Sequence, residues 1–256
     1  MRRSTSPALF LLSLLAALLL GQAHAQYGGW TNPYTGNTWN NPGSSLLDTM
    51  IQGSRFMQDP AAGAAGNGGD GSGSGAAGEA GAELPRVSAT SFRSAPQRLE
   101  VAAFAQSLTN DAAEQATFIQ ALEEGMALFE DAARDAGRPN NAAMAITYMI
   151  AANYAVYTGG LEVSDEAFET LWGAVHQMLA ESLEFRRSSD RSRQSLYETA
   201  VMMATLPLMG YLQAVEAGDA GSAAMYQEFA GRVLSSSLGV APDKVLFTAT
   251  GVSLGD

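Results

Sequence analysis

Apolar residues recur at helical spacing through most of the chain after residue 96. Val101, Phe104, Ala105 and Leu108 follow the i, i+3, i+4, i+7 spacing of an amphipathic helix. Five further segments carry the same period and are separated by residues that begin or end helices. The second predicted helix begins after a cap at Asn110 or Asp111 and ends at Gly137, and the third covers residues 142–157. The fourth begins after a cap at Ser164 and ends near residue 183. The fifth and sixth cover residues 190–216 and 221–238.

The third of the six predicted helices, over residues 142–157, is the most informative about packing. Only Thr147 and Asn153 are clearly polar within residues 142–157. A helix that is apolar on all sides is buried on all sides, so we predict an all-α bundle of about six helices around it. Asn153 is then a satisfied core amide or part of a small polar pocket, and the first is commoner.

Two later helices carry features that the structure can test directly. The apolar stripe of the fourth helix runs through Phe168, Leu171, Trp172, Val175, Leu179 and Leu183. Pro207 lies inside the fifth helix and should kink it by freeing the carbonyl of Met203. Beyond the sixth helix, residues 245–248 form the only strand-like run, which we expect to pack as an extended tail.

The N-terminal third of the chain has a different composition. Residues 1–25 combine Arg2 and Arg3, a continuous apolar stretch and the small-residue pattern Ala23-His24-Ala25, which is the order of a secretory signal peptide. Residues 26–60 read as an aromatic, Asn- and Gly-rich tail with a possible short helix. Residues 61–95 are predicted to form a flexible linker, because Gly, Ala and Ser cannot bury enough apolar surface to offset their ordering entropy. The helical domain is predicted over residues 96–251.

Composition narrows the possible partners and the environment. The chain has a formal net charge of −12, which becomes −14 once Arg2 and Arg3 leave with the signal. So acidic a surface repels the phosphate backbone, so we expect no nucleic-acid partner. The chain has no cysteine, so an exported protein of this size is held by burial alone. We expect a periplasmic or extracellular protein that does not span the membrane after signal removal.

Short motifs along the helical part resemble a known family. The order Ser91-Phe92-Arg93 with Arg98-Leu99, then residues 152–155 (Ala-Asn-Tyr-Ala), then residues 239–243 leading to residues 246–248 and Gly251, is similar to a family of exported bacterial helical proteins. Its members carry a signal, a low-complexity spacer and a helical domain. The family has no assigned activity, so the resemblance implies fold and export and supplies no site residue.

Several reaction chemistries are excluded by residue content. With no Cys, and His176 as the only histidine after processing, no Cys/His zinc site can form from one chain. A Ser–His–acid triad would have to use His176, which we interpret as a half-buried helix histidine making one hydrogen bond. We therefore expect no catalytic residue, no metal and no cofactor, and an enzyme is the less favoured class.

Two alternatives to a simple binding protein stay open. Acidic residues line the second helix and the start of the fourth, and two carboxylates across a cleft would suit a hydrolase of envelope polysaccharide. Most of them lie opposite the apolar stripes, as on a solvated face. These residues are Glu123, Glu124, Glu130, Asp131, Asp135, Glu162, Asp165, Glu166 and Glu169. A carrier of a small apolar ligand would instead use a cavity near Pro207, lined by Met203, Met209 and Tyr154.

The candidate binding residues are aromatic and basic. Trp30 and Trp39 each begin one copy of a short internal repeat in the N-terminal tail, and aromatic rings on turns can stack on sugars or dock on a protein surface. Four arginines, Arg186, Arg187, Arg191 and Arg193, form a cluster on an otherwise acidic chain, and could bind phosphate or an anionic headgroup. The alternative is structural, because Arg186 and Arg187 lie at a predicted helix C-terminus, where positive charge stabilises the helix dipole. The main hypothesis is a non-enzymatic exported helical protein that binds an envelope protein, a glycan or a small apolar ligand.

Overall fold

The computed structural model describes residues 84–160, 163–248 and 251–254. The predicted signal, the tail with Trp30 and Trp39, the linker up to residue 83 and Glu162 lie outside the described residues. Within them the fold is all-α, as predicted, with one small antiparallel hairpin. In chain order the elements are α1 Val101–Leu108, α2 Ala112–Asp135, α3 Ala142–Thr158, α4 Asp165–Glu181, α5 Leu183–Arg187, α6 Asp190–Glu216, α7 Ala220–Leu238, β1 Val245–Thr248 and β2 Gly251–Leu254.

Local sequence signals set the ends of these helices. Asp111 caps α2 by accepting from the amides of Ala113 and Glu114, and Ser164 caps α4 by accepting from Ala167. Gly159 ends α3 in the left-handed conformation, with φ of 67°, which glycine adopts without steric cost. Asn141, which the sequence analysis does not identify, caps α3 by accepting from the amide of Met144.

The central position of α3 is confirmed. All of its residues are buried except Tyr154, Tyr157 and Thr158. It packs chiefly against α6 and α7, and also against α4. Because α6 also contacts α2, the two helices α3 and α6 together form the interior of the bundle.

The close approach of α2 and α6 depends on a glycine. A Cβ built on Gly125 would lie 2.3 Å from the Cγ2 atom of Thr205 on α6. A larger residue at this position would therefore force either the Thr205 side chain or the two helices to shift.

Three expectations are corrected by the structure. Leu183 is 61% exposed, because α4 ends at Glu181 and the Ser182 side chain starts the separate one-turn helix α5 by accepting from the amide of Phe185. The predicted extended tail is strand β1, which pairs antiparallel with β2, Val245 lying opposite Leu254. Residues 84–95, assigned to the flexible linker, pack on the bundle, with Thr90 fully buried and Phe92 in the core.

Candidate functional site

The segment that leads into the first helix is bound to the bundle by polar side chains. We call residues 84–100 the N-terminal strap. Five side chains from distant parts of the chain hydrogen-bond to its backbone at successive points: His176 at Pro85, Asn141 at Val87, Arg193 at Ser91, Gln194 at Ala95 and Gln97, and Glu198 at Leu99 and Glu100. The strap is therefore part of the domain, and most chemistry-bearing residues of the interior serve to hold it.

His176 is fully buried and makes two hydrogen bonds, which corrects the prediction of a half-buried residue with one. Its Nε2 lies 2.8 Å from the carbonyl oxygen of Pro85, and its Nδ1 lies 2.8 Å from the hydroxyl of Thr90. A carbonyl oxygen only accepts, so Nε2 carries the proton and Nδ1 accepts from Thr90. The Thr90 oxygen in turn accepts from the side-chain amide of Asn141 at 2.9 Å.

This arrangement pairs a hydroxyl with an imidazole but is not that of a catalytic triad. The second imidazole nitrogen is bound to a backbone carbonyl, where a triad has a carboxylate. Thr90 and His176 both have 0% exposure, so a substrate cannot reach the hydroxyl without displacing the strap. We assign the His176–Thr90 pair a structural role.

The ring of His176 is fixed by a stack of three side chains. Its plane lies 10° from that of Trp172, with ring centroids 4.8 Å apart. The guanidinium of Arg138 lies 3.5 Å from the Trp172 ring centroid, within the range of a cation–π interaction. Arg138 also forms a two-bond ion pair with Glu169. The stack links the α2–α3 turn to α4 and fixes the wall against which the strap packs.

Two buried carboxylates, which the sequence analysis did not single out, lie at the start of α1. Glu198 is fully buried, and its Oε2 accepts from the amides of Leu99 and Glu100 at 2.7 and 2.9 Å. Its Oε1 accepts from Gln194 at 2.8 Å. Glu100 is 7% exposed and accepts from the hydroxyl of Ser195 at 2.6 Å. Glu198 thus satisfies backbone donors that precede α1, as a capping residue would do from within the helix.

The carboxylates that the sequence analysis proposed for a hydrolase lie mainly at the surface. Exposed positions are occupied by Glu123, Glu124, Asp131, Asp135, Glu166 and Glu169, and partly exposed ones by Glu130 and Asp165. Glu130 forms a bidentate ion pair with Arg98, which raises the pKa of Arg98 above its ordinary value. These acids thus occupy the solvated faces that the pattern indicates.

The residues proposed to line an apolar cavity lie around a polar contact in the interior. Pro207 is buried within α6, and Tyr154, Met203 and Met209 are half-buried. The side-chain amide of Asn153 donates to the carbonyl of Met203 at 3.1 Å. That carbonyl is the one that Pro207, which has no N–H, leaves without its helical partner. Asn153 is therefore a core amide that satisfies it.

The arginine cluster divides into one internal and three surface residues. Arg193 is half-buried, and its N–H groups donate to the Ser91, Phe185 and Arg186 carbonyls and to the hydroxyl of Ser188. Arg186, Arg187 and Arg191 are exposed. Within the described residues no ion pair or hydrogen bond involves their side chains. The predicted cluster of four is therefore divided, because Arg193 bonds to the strap at Ser91 and to α5 at Phe185.

One more exposed arginine lies close in sequence to a strap residue that Arg193 contacts. Arg93 is exposed and lies two residues from Ser91, whose carbonyl accepts from Arg193 at 3.1 Å. We call Arg93, Arg186, Arg187 and Arg191 the basic corner. Three carboxylates, Glu181, Glu184 and Asp190, lie in the same stretch of chain. Elsewhere in the described residues most arginines have acidic partners, as Arg98, Arg134, Arg138 and Arg232 do.

The described residues contain neither a metal-binding cluster nor a membrane-spanning helix. No group of three or more His, Asp or Glu side chains in this part of the chain could hold a metal ion. None of the helices in it has both the length and the apolar content to cross a bilayer.

The chain matches a family of unknown function (DUF6683) over residues 4–255, and it therefore belongs to that family. No curated protein and no solved structure matches it.

Proposed function

We propose that this member of the DUF6683 family is an exported, non-enzymatic protein of the cell envelope that binds a partner through the basic corner, with Trp30 and Trp39 as a second contact. The order of basic, apolar and small residues in residues 1–25 supports export. Removal of that segment after Ala25 would give a chain beginning at Gln26, which N-terminal sequencing of the protein recovered from cells would test.

One observation carries the binding assignment: the buried His176 and Glu198 hold the strap, whereas the arginines of the basic corner are exposed and have no acidic partner among the described residues. His176 and Glu198 are fully buried and bonded to strap atoms. Neither can reach a substrate while the strap is in place. The guanidinium groups of Arg186, Arg187 and Arg191 are exposed and remain available to an external anionic group.

A structural explanation for Arg186 and Arg187 is weak in this fold. Both lie in the last turn of α5, where cations favour the negative end of a helix dipole. However, α5 has only five residues, so few peptide dipoles align in it. The dipole gives little reason for two adjacent arginines here, whereas a negatively charged partner does.

The proposal is tested by co-sedimentation with isolated cell envelopes. The chain from Gln26 is compared with a triple variant of the basic corner, Arg186→Gln, Arg187→Gln and Arg191→Gln. The matched control also removes three positive charges, but from other exposed positions, through Arg86→Gln, Arg134→Gln and Arg232→Gln.

We expect the corner variant to lose at least about tenfold in bound fraction and the control to change by less than about twofold, as for charges outside an interface. Equal loss in both variants would mean that only net charge matters. No loss in the corner variant would refute the assignment of the binding surface.

A further inference from the structure

The chemical group that the basic corner recognises follows from how its arginines are arranged. They come from three separate segments: Arg93 from the strap, Arg186 and Arg187 from α5, and Arg191 from α6. Arg193 holds these segments together, because it bonds to Ser91 at 3.1 Å and to Phe185 at 3.0 Å.

Donors from three segments suit a tetrahedral anion better than a planar one. A carboxylate has two oxygens whose acceptor sites lie in one plane, and a single guanidinium fork occupies two of them. A phosphate group offers its oxygens in several directions and can accept from guanidinium groups that do not share a plane. The hydroxyls of Ser189 and Ser192, 2.9 Å apart at the start of α6, add further hydrogen-bonding groups beside Arg191.

We propose that the basic corner binds the phosphate groups of anionic lipids at the membrane surface of the envelope, and that Arg193 is a positioning residue for this site. The inference rests on the proposed function and names the chemistry of its partner. Glu181, Glu184 and Asp190 weaken the attraction of the corner for every anion, an anionic membrane surface included. A surface that presents many phosphates still suits it better than one free phosphate ion, since several arginines then engage together.

The experiment measures binding of the chain from Gln26 to vesicles of phosphatidylcholine with and without phosphatidylglycerol. We expect binding only to vesicles that contain phosphatidylglycerol, reduced at least about tenfold in the corner variant described above and less than about twofold in its charge-matched control. Failure of the unsubstituted chain to bind, or equal reduction in both variants, would overturn the inference.

Inorganic phosphate, added as a competitor, separates the two sources of the phosphate group. Release of the chain by millimolar inorganic phosphate would show that the ion alone is recognised and would overturn the membrane-surface assignment. Continued vesicle binding would support it. If envelope co-sedimentation persists while phosphatidylglycerol vesicles fail to bind, the proposed function stands and only this inference falls.

The positioning role of Arg193 has its own readout. Arg193→Lys keeps the charge but cannot reproduce bonds to Ser91, Phe185 and Ser188 together. We expect vesicle binding to fall severalfold and the amides of the strap to exchange faster with solvent. Unchanged vesicle binding with faster exchange would show that Arg193 is structural only.

Discussion

The contribution to stability of the hydrogen bond between Asn153 and the carbonyl of Met203 can be measured by replacing Pro207, whose missing N–H makes that bond necessary. Pro207 cannot donate to that carbonyl, and the side-chain amide of Asn153 does so at 3.1 Å. Asn153→Ala leaves a buried acceptor without a partner, which costs about 1–3 kcal/mol. Pro207→Ala supplies a backbone N–H four residues along the helix, so the same Asn153→Ala change should then cost about 1–2 kcal/mol less.

The assay is urea denaturation followed by circular dichroism on the parent, both single variants and the double variant. Thr147→Ala is the control, because the Thr147 hydroxyl bonds to the carbonyl of Ala143 on its own helix. Its cost should be the same with Pro or Ala at position 207. If the cost of Asn153→Ala is also the same in both backgrounds, within about 0.5 kcal/mol, the Asn153 amide does not replace the backbone donor that Pro207 lacks.

Four further variants test the packing and the strap, each by its unfolding free energy. Gly125→Ala should cost about 1–3 kcal/mol through its clash with α6, whereas Gly173→Ala, where a Cβ meets only Leu84 at 3.8 Å, should gain up to about 1 kcal/mol; equal effects would refute the close helix approach. Glu198→Ala should cost about 3 kcal/mol or more and speed hydrogen exchange of the amides before α1, and unchanged exchange there would contradict its capping role. Tyr197→Phe should be neutral or stabilising at neutral pH, because its buried hydroxyl has no partner among the described residues. Burial raises the pKa of Tyr197, so the parent should lose stability as pH rises above about 10, and Tyr197→Phe should lose less; identical alkaline unfolding would count against the burial of this phenol.

The helices could be predicted because their signals are local. A cap at Ser164, the apolar run of α3 and the glycine at position 159 each act within a few residues of the element they define. The carbonyl freed by Pro207 was predictable for the same reason. Which side chain satisfies it was not, since Asn153 and Met203 lie 50 residues apart in the chain.

The strap was missed because the hydrogen bonds that hold it come from side chains far along the chain. Gln194 and Glu198 bind residues about a hundred positions earlier in the chain. In the sequence they look like ordinary polar positions of a surface helix. The preceding Gly, Ala and Ser stretch also suggested that the linker continues to residue 95. The predicted linker boundary followed composition, whereas the fold depends on buried hydrogen-bonding partners that composition does not reveal.

The basic corner was predicted in part. Adjacent arginines in residues 186–193 marked the region, because they stand out on an acidic chain. The sequence did not distinguish Arg193, which bonds internally across 102 positions to Ser91, from its exposed neighbours. Nor did it add Arg93 to this group, since the contact of Arg193 with Ser91, two residues before Arg93, forms only in the folded chain.

The salt dependence of envelope binding tests the central claim most directly. Attraction between exposed arginines and anionic groups is screened by salt, with a Debye length of about 10 Å at 0.1 M. We predict that binding of the chain from Gln26 to isolated envelopes falls steeply as salt is raised, and that the residual binding of the Arg186→Gln, Arg187→Gln, Arg191→Gln variant barely responds. The same steep salt dependence in both proteins would contradict the claim that the basic corner is the binding surface.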